Sequence, residues 1–192
     1  MFKRVGIVAV LLMVAGLVAV LLMRPPAPLS SSASYGDWRI DCSGDATRCI
    51  LSQRVLDGQS GGRLVMINLA VSGGKPRVAR LVVPLGSIIS AGAALVIGEL
   101  RVENLLPETC DRGGCTFSFE PDPNFLAAAS DGGYGSAVFS DASGSPVSVP
   151  FSLNGFKDAL ATAKAETGLW GSIAAKLRRS PSSVETGANA EN

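Results

Sequence analysis

Apolar and polar residues alternate over several short stretches between residues 35 and 151, and Gly, Pro, Asp and Ser separate these stretches. Side chains of a β-strand point alternately to its two faces, so this pattern is typical of strands with one buried face. We predict strands at 38–42, 64–71, 78–83, 94–97, 116–120 and 147–151, with hairpin turns at 73–75 and 141–144. Short strands separated by turn residues indicate an antiparallel β-sandwich.

Two segments have helical periodicity instead. Residues 122–129 begin with Asp122-Pro123, and proline is favoured at the first helical position after a capping carboxylate. Residues 156–163 place apolar side chains at 156, 159, 160 and 163, a spacing that puts them on one helical face. The predicted domain is therefore mainly β, an antiparallel β-sandwich with a C-terminal helix that docks on a sheet.

A further amphipathic helix is predicted at 168–179, with Leu169, Trp170, Ile173 and Leu177 on one face and basic residues near its end. Basic residues beside the last carbonyls are ordinary helix-dipole chemistry. Alternatively, this segment lies on the membrane or on a partner. Residues 180–192 have almost nothing to bury, which predicts a disordered tail.

The N-terminus predicts a membrane anchor. Lys3 and Arg4 precede 19 uncharged, almost wholly apolar residues, 5–23, and a helix of that length spans roughly 28 Å, close to the bilayer core. Cleavable signal peptides have shorter apolar runs and small residues at the cleavage site, whereas Arg24-Pro25-Pro26 follows here. We therefore expect a single transmembrane helix in the inner membrane with the C-terminal domain in the periplasm; the alternative is a periplasmic protein released by signal cleavage.

The chain then divides into a signal anchor (1–24), a linker rich in Pro and Ser (25–34), the β domain (35–167), the amphipathic helix (168–179) and the tail (180–192). The 17 basic and 16 acidic residues nearly balance, which gives no electrostatic case for nucleic acid binding. The chain has no histidine. This absence excludes Ser-His-Asp and Cys-His catalysis and histidine-ligated zinc.

Four cysteines occur as two close pairs, Cys42 with Cys49 and Cys110 with Cys115. Gly and Asp within each pair favour turns that bring the two thiols together, so we predict two disulfides, 42–49 and 110–115. A zinc site made by all four cysteines is the alternative, but six residues separate the first pair, more than structural zinc sites usually have. Export to an oxidising compartment also favours disulfides.

Several phrases, read in order, resemble the invasion-associated locus B family of exported alphaproteobacterial proteins. They are Gly36-Asp37-Trp38 with Cys42 and Cys49, Pro84-Leu85-Gly86, Thr109-Cys110-Asp111 to Cys115, and Ser152-Leu153-Asn154-Gly155-Phe156. The resemblance implies a mostly β domain in the periplasm or envelope and an association with host-cell invasion in pathogenic members. It supplies no catalytic, cofactor or metal-binding residues.

The motif residues also have structural interpretations. We expect Trp38 to anchor the layers of the domain, Gly36 to form a turn, and Asp111 to cap the second disulfide loop by an Asx-type bond. A binding role for the exposed 110–115 loop is the alternative.

Three functions compete at this point. The first is a non-enzymatic module that binds an envelope or host protein, and the second is a small-molecule or glycan-binding domain. The third is a carboxylate-based hydrolase, whose candidates lie in or near turns: Asp41, Asp45, Asp111, Glu120 and Asp122. No spacing selects an acid/base pair among them, so we favour the first function and name no catalytic residue.

Overall fold

Eleven strands form two antiparallel sheets in the computed structural model, which describes residues 32–57, 63–103, 105–171, 173 and 174. The larger sheet contains β1 (Ser32–Tyr35), β2 (Trp38–Cys42), β3 (Arg48–Asp57), β4 (Arg63–Ser72), β5 (Lys75–Val83), β8 (Leu106–Asp111) and β9 (Gly114–Phe119). The smaller contains β6 (Ala93–Ile97), β7 (Leu100–Val102), β10 (Tyr134–Ser140) and β11 (Pro146–Ser152). Their strand orders are β1-β2-β3-β4-β5-β9-β8 and β11-β10-β6-β7.

The six strands that the alternation predicts are all present, and the 73–75 and 141–144 segments connect β4 to β5 and β10 to β11 as expected. The alternation did not reveal β1, β3, β7, β8 or β10. In β8 the register shifts between Pro107 and Thr109, which is a β-bulge in an edge strand.

Both predicted helices within the domain are confirmed. Helix α1 (Pro123–Ser130) begins after Asp122, whose Oδ1 accepts a hydrogen bond from the Phe125 amide at 2.7 Å. Helix α2 (Phe156–Thr167) buries the predicted face at 156, 159, 160 and 163. Residues 169–171, 173 and 174 are helical, whereas Gly168 is a bend after α2, and residues 172 and 175–179 of the predicted 168–179 helix lie outside the described residues.

The hydrophobic core lies between the inner face of the larger sheet and a second layer. That layer consists of the smaller sheet together with α2, which contacts β1 to β5. Inward side chains alternate along each central strand, as Val65, Ile67, Leu69 and Val71 do in β4. The helix α2 and the smaller sheet cover one face of the larger sheet, and no described helix or strand packs on its other face.

Strand β1 begins at Ser32, so the domain starts three residues before the boundary drawn from the sequence, and 32–34 belong to a paired strand rather than to the linker. Backbone pairing with β2 explains how so polar a segment is ordered. Among the described residues, no helix has the length and apolar character needed to cross a membrane. The predicted anchor at 5–23 and the predicted tail at 180–192 lie outside them.

Candidate functional site

The first and last phrases of the sequence motif pack against each other. The ring of Trp38 meets that of Phe156 edge-to-face with centroids 5.0 Å apart, and the Trp38 indole N–H donates to the Ser152 carbonyl at 3.0 Å. The Asp37 amide donates to the Asn154 carbonyl at 3.1 Å. Gly155 has φ +86°, and a Cβ there would lie 2.0 Å from the Tyr35 carbonyl oxygen. These residues therefore join β2 to the start of α2, which confirms Trp38 as an anchor between layers.

The two middle phrases also meet. Val83, which precedes Pro84, pairs with Cys115 across β5 and β9. A Cβ at Gly114 would lie 2.3 Å from the Val83 carbonyl oxygen, and Gly114 has φ +134°. This glycine is required because the disulfide hairpin presses directly on the β5 backbone.

Both predicted disulfides are present and each joins residues that face each other on adjacent strands. Cys42 pairs with Cys49 across β2 and β3, and Cys110 pairs with Cys115 across β8 and β9, with Cα atoms 4.0 Å apart in each case. The four-cysteine zinc site is therefore wrong, because all four sulfurs are consumed in covalent bonds. The two links lie towards opposite edges of the larger sheet.

The carboxylates weighed for hydrolysis are placed in separate structural settings. Asp41 pairs with Arg39 at 3.1 Å, and Asp122 caps α1. Asp111 accepts from the Gly113 amide at 2.7 Å, as the Asx-type cap predicts. Asp45 accepts hydrogen bonds from the Thr47 hydroxyl and amide. Hydrogen bonds from the side chains of Ser43 and Thr47 hold the Asp45 pKa well below its usual range. Glu120 is exposed after β9.

The outer face of the larger sheet, which we call the open face, carries a shallow depression of about 330 Å³. Its lining comes from β2 to β5 and comprises Asp41, Ile50, Ser52, Arg54, Met66, Asn68, Ala70, Val78 and Arg80. Ile50, Ala70 and Val78 stand side by side in one row across β3, β4 and β5. A more polar hollow of about 440 Å³ adjoins it and shares Asp41, Ser52 and Arg54. The open face thus offers an apolar row bordered by charges.

The charged side chains on the open face differ in whether they form ion pairs. Arg80 donates from Nε and Nη2 to Glu108 at 2.9 and 3.4 Å, and this contact, with a further hydrogen bond from Ser118, lowers the Glu108 pKa. Arg39 is paired with Asp41. The Arg54 guanidinium, by contrast, makes no ion pair or hydrogen bond with any other residue that the structure describes. Arg54 is therefore the cation of this face best placed to meet an external carboxylate.

A third depression, of about 310 Å³, lies on the smaller sheet near Ala93, Arg101 and Pro146. Its rim contains an ion pair between Arg101 and Glu103. Within the described ranges, no group of three or more Cys, Asp or Glu side chains is arranged to hold a metal ion.

Comparison with known proteins decides the family. The family model described as "Invasion associated locus B (IalB) protein" matches residues 38–164. The chain belongs to the invasion associated locus B family. Two invasion protein B homologs of Brucella abortus, from strain 2308 and from biovar 1 strain 9-941, are each 29% identical over 163 residues, covering 83% of this chain and 94% of theirs. The crystal structure of invasion associated protein B from Bartonella henselae matches with a TM-score of 0.61 and 26% identity, covering 71% of this chain and 97% of that chain.

The invasion associated locus B match includes the Trp38–Phe156 contact and the contact of Gly114 with Val83. In this family member the recognisable phrases are thus used to join β2 to α2 and β5 to β9, rather than to build a pocket. Sequence reasoning missed the open face for this reason: Arg54, Arg80 and Glu108 stand at outward strand positions. Charged residues there are ordinary on any exposed sheet face. The residue that could have revealed the open face is Ile50, which is apolar, stands at an outward strand position and is 38% exposed.

Proposed function

We propose that this chain is an inner-membrane-anchored periplasmic protein whose β-sandwich binds another envelope protein through the open face, without catalysis. The observation that carries the proposal is the combination of the apolar row with Arg54. Protein interfaces typically centre on apolar contacts with arginine among the anchoring residues. The partner we infer presents apolar side chains to Ile50, Ala70 and Val78 and a carboxylate to Arg54.

The proposed membrane anchor determines whether the domain can reach an envelope partner or a host partner. With residues 5–23 retained in the inner membrane, the domain reaches periplasmic and envelope proteins but no host surface. A host partner, in line with the word invasion in the names of the Brucella and Bartonella relatives, would require release by signal cleavage. We therefore commit to an envelope partner for the anchored form.

A small-molecule or glycan-binding role has weaker support. Ligand pockets are concave and enclose most of a ligand's surface, whereas the open face is shallow. The three depressions described above have a single aromatic residue, Phe139, in their linings, and that side chain is 3% exposed. Sugar rings would find no aromatic surface there to stack on.

Site-specific photocrosslinking in intact cells tests the proposal. A photoreactive phenylalanine analogue replaces Ser52 on the open face, or Ser136 on the outer face of β10 as a control; both serines are half-buried strand residues. We expect a crosslinked adduct from position 52 and none from position 136. The substitution Arg54→Glu should remove the adduct because it reverses the charge opposite the partner's carboxylate, whereas Arg112→Glu, at an exposed loop arginine, should not.

Equal adducts from both positions, or an adduct insensitive to Arg54→Glu, would contradict this assignment of the binding face. The location has a separate test. A protein recovered from the soluble periplasm without residues 1–24 would overturn the anchor and leave the binding face to be judged by the crosslink.

A further inference from the structure

At one end of the larger sheet, the start of β1 and the end of α2 lie close together. Ser32 of β1 pairs with Asp41 of β2 near this end of the sheet. Arg48 of β3 pairs with Ser72 of β4 two residues closer to the end, beside the β4–β5 turn. We call this the Ser32 end. Strand β1 begins at this end and runs away from it.

The end of α2 is fastened to the same place. The Thr167 hydroxyl accepts a hydrogen bond from the Gly74 amide at 3.2 Å and donates to the Ala163 carbonyl at 2.7 Å. A Cβ at Gly171 would lie 1.8 Å from the Glu166 carbonyl oxygen, so the backbone after α2 folds closely against its last turn. The helical residues that begin at 169 therefore start at the Ser32 end.

These helical residues expose large apolar side chains. Leu169 is 73% exposed, Trp170 80% and Ile173 39%, and their spacing places them on one side of a helix. Single exposed apolar residues are ordinary, but three within five positions form a patch that a soluble surface normally avoids.

Basic side chains outnumber acidic ones at the Ser32 end. Arg48, Lys75, Arg77 and Lys164 belong to the elements that meet there, together with the carboxylates of Asp41, Asp45 and Glu166. The sequence after Ile173 adds Lys176, Arg178 and Arg179 before its next acidic residue, Glu185. Tryptophan beside basic residues is the composition of a segment that lies at the surface of an anionic bilayer.

We propose that the Ser32 end rests on the anionic membrane surface, with Trp170, Leu169 and Ile173 inserted among the lipid headgroups. This rests on the membrane anchoring in the proposed function, since an anchored domain stays close to the bilayer surface. The apolar row Ile50, Ala70 and Val78 continues the row of Ser32 and Asp41, so its partner would meet it close to the membrane surface.

The two tryptophans make the proposal testable in the full chain, because Trp38 is 2% exposed and Trp170 is 80% exposed. The protein is reconstituted into vesicles of phosphatidylcholine and phosphatidylglycerol whose acyl chains carry bromine close to the headgroups. The emission of Trp170 is obtained as the difference between wild type and Trp170→Phe. We expect brominated lipid to reduce this emission about two-fold. The reduction should be smaller in vesicles of phosphatidylcholine alone, where the electrostatic attraction is absent.

The matched control places a tryptophan at the other end of the sheet. Leu85 is 59% exposed and follows β5, whose nine residues begin at the Ser32 end, so it lies about 30 Å away. Leu85→Trp in the Trp170→Phe background should give emission that brominated lipid does not quench.

Each outcome separates the two proposals. Protein that floats with the vesicles but shows no quenching of Trp170, or equal quenching of Trp170 and of the tryptophan at position 85, overturns the orientation and leaves the anchor standing. Protein that does not float with the vesicles overturns both.

Discussion

Replacing Phe156 with alanine tests the contact that joins the first and last motif phrases. Phe156 is 1% exposed and its ring meets that of Trp38. Truncating a buried phenylalanine to alanine costs about 3–5 kcal/mol in free energy of unfolding, because apolar contacts are lost and a cavity remains. The edge-to-face ring pair contributes about 1 kcal/mol of this.

The measurement is urea unfolding of the oxidised full-length protein in detergent micelles, followed by far-ultraviolet circular dichroism. The free energy of unfolding falls by about 2 kcal/mol per molar urea in a domain of this size. A loss of about 3–5 kcal/mol in that free energy therefore lowers the urea concentration at the unfolding midpoint by roughly 1.5–2.5 M. A double-mutant cycle with Phe156→Leu and Trp38→Leu then isolates the ring pair, for which we expect a coupling of about 0.5–1.5 kcal/mol.

Leu85→Ala is the control, because Leu85 is 59% exposed and surface substitutions usually change stability by less than about 0.5 kcal/mol. A midpoint for Phe156→Ala within about 0.5 M of wild type would refute the interpretation that the motif phrases exist to join β2 to α2. A coupling energy near zero would leave the burial argument intact and refute the ring contact.

Three further predictions use the same unfolding assay. Asp122→Ala should lose about 0.5–2 kcal/mol because it removes the cap of α1, while Asp122→Asn should keep most of the stability; equal losses would contradict the capping role. Gly155→Ala should destabilise far more than Gly98→Ala, since both glycines have positive φ but only Gly155 has a carbonyl oxygen within 2.0 Å of the added Cβ; similar losses would show that backbone strain alone matters. Because Arg80 lowers the Glu108 pKa in the folded state, this carboxylate should contribute stability above its unfolded pKa of about 4.3 and lose it as the pH falls through the lowered value. Glu108→Gln should flatten that part of the pH profile, and an unchanged profile would contradict the pairing.

Much of the fold could be predicted because local chemistry and tertiary packing agree. The alternation in β4 and β9 survives in the structure because one face of each strand is buried in the core. The Asp122-Pro123 start of α1 was predictable since both the cap and the proline act within a single turn. The disulfides followed from turn residues that close each short loop.

Other strands were missed for identifiable reasons. In β3 the inward position between Leu51 and Val55 is occupied by Gln53, which is 5% exposed and donates to the Asp37 carbonyl, so the apolar alternation is broken. Every residue of β8 is exposed; its pairing with β9 and the disulfide hold it in the sheet without any apolar signal. The inward residues of β10 include Gly135 and Ala137, which are too small to mark a buried face.

The open face could not be predicted, because it depends on which strands become neighbours. Arg80 and Glu108 are 28 residues apart, and the ion pair between them forms across β9, which separates β5 from β8. Ile50, Ala70 and Val78 form a row only once the register of β3, β4 and β5 is known. The sequence contains these residues but does not show that they are neighbours in the sheet.

The margins of the two sheets limit how this protein can associate with copies of itself. Edge strand β1 has four residues and β7 has three, β11 carries Pro146 and Pro150, and β8 combines Pro107 with a bulge and two carboxylates. Such edges offer an incoming strand few consecutive free amide and carbonyl groups. Many copies crowded together can therefore stay separate molecules, and recognition is left to side chains on the faces.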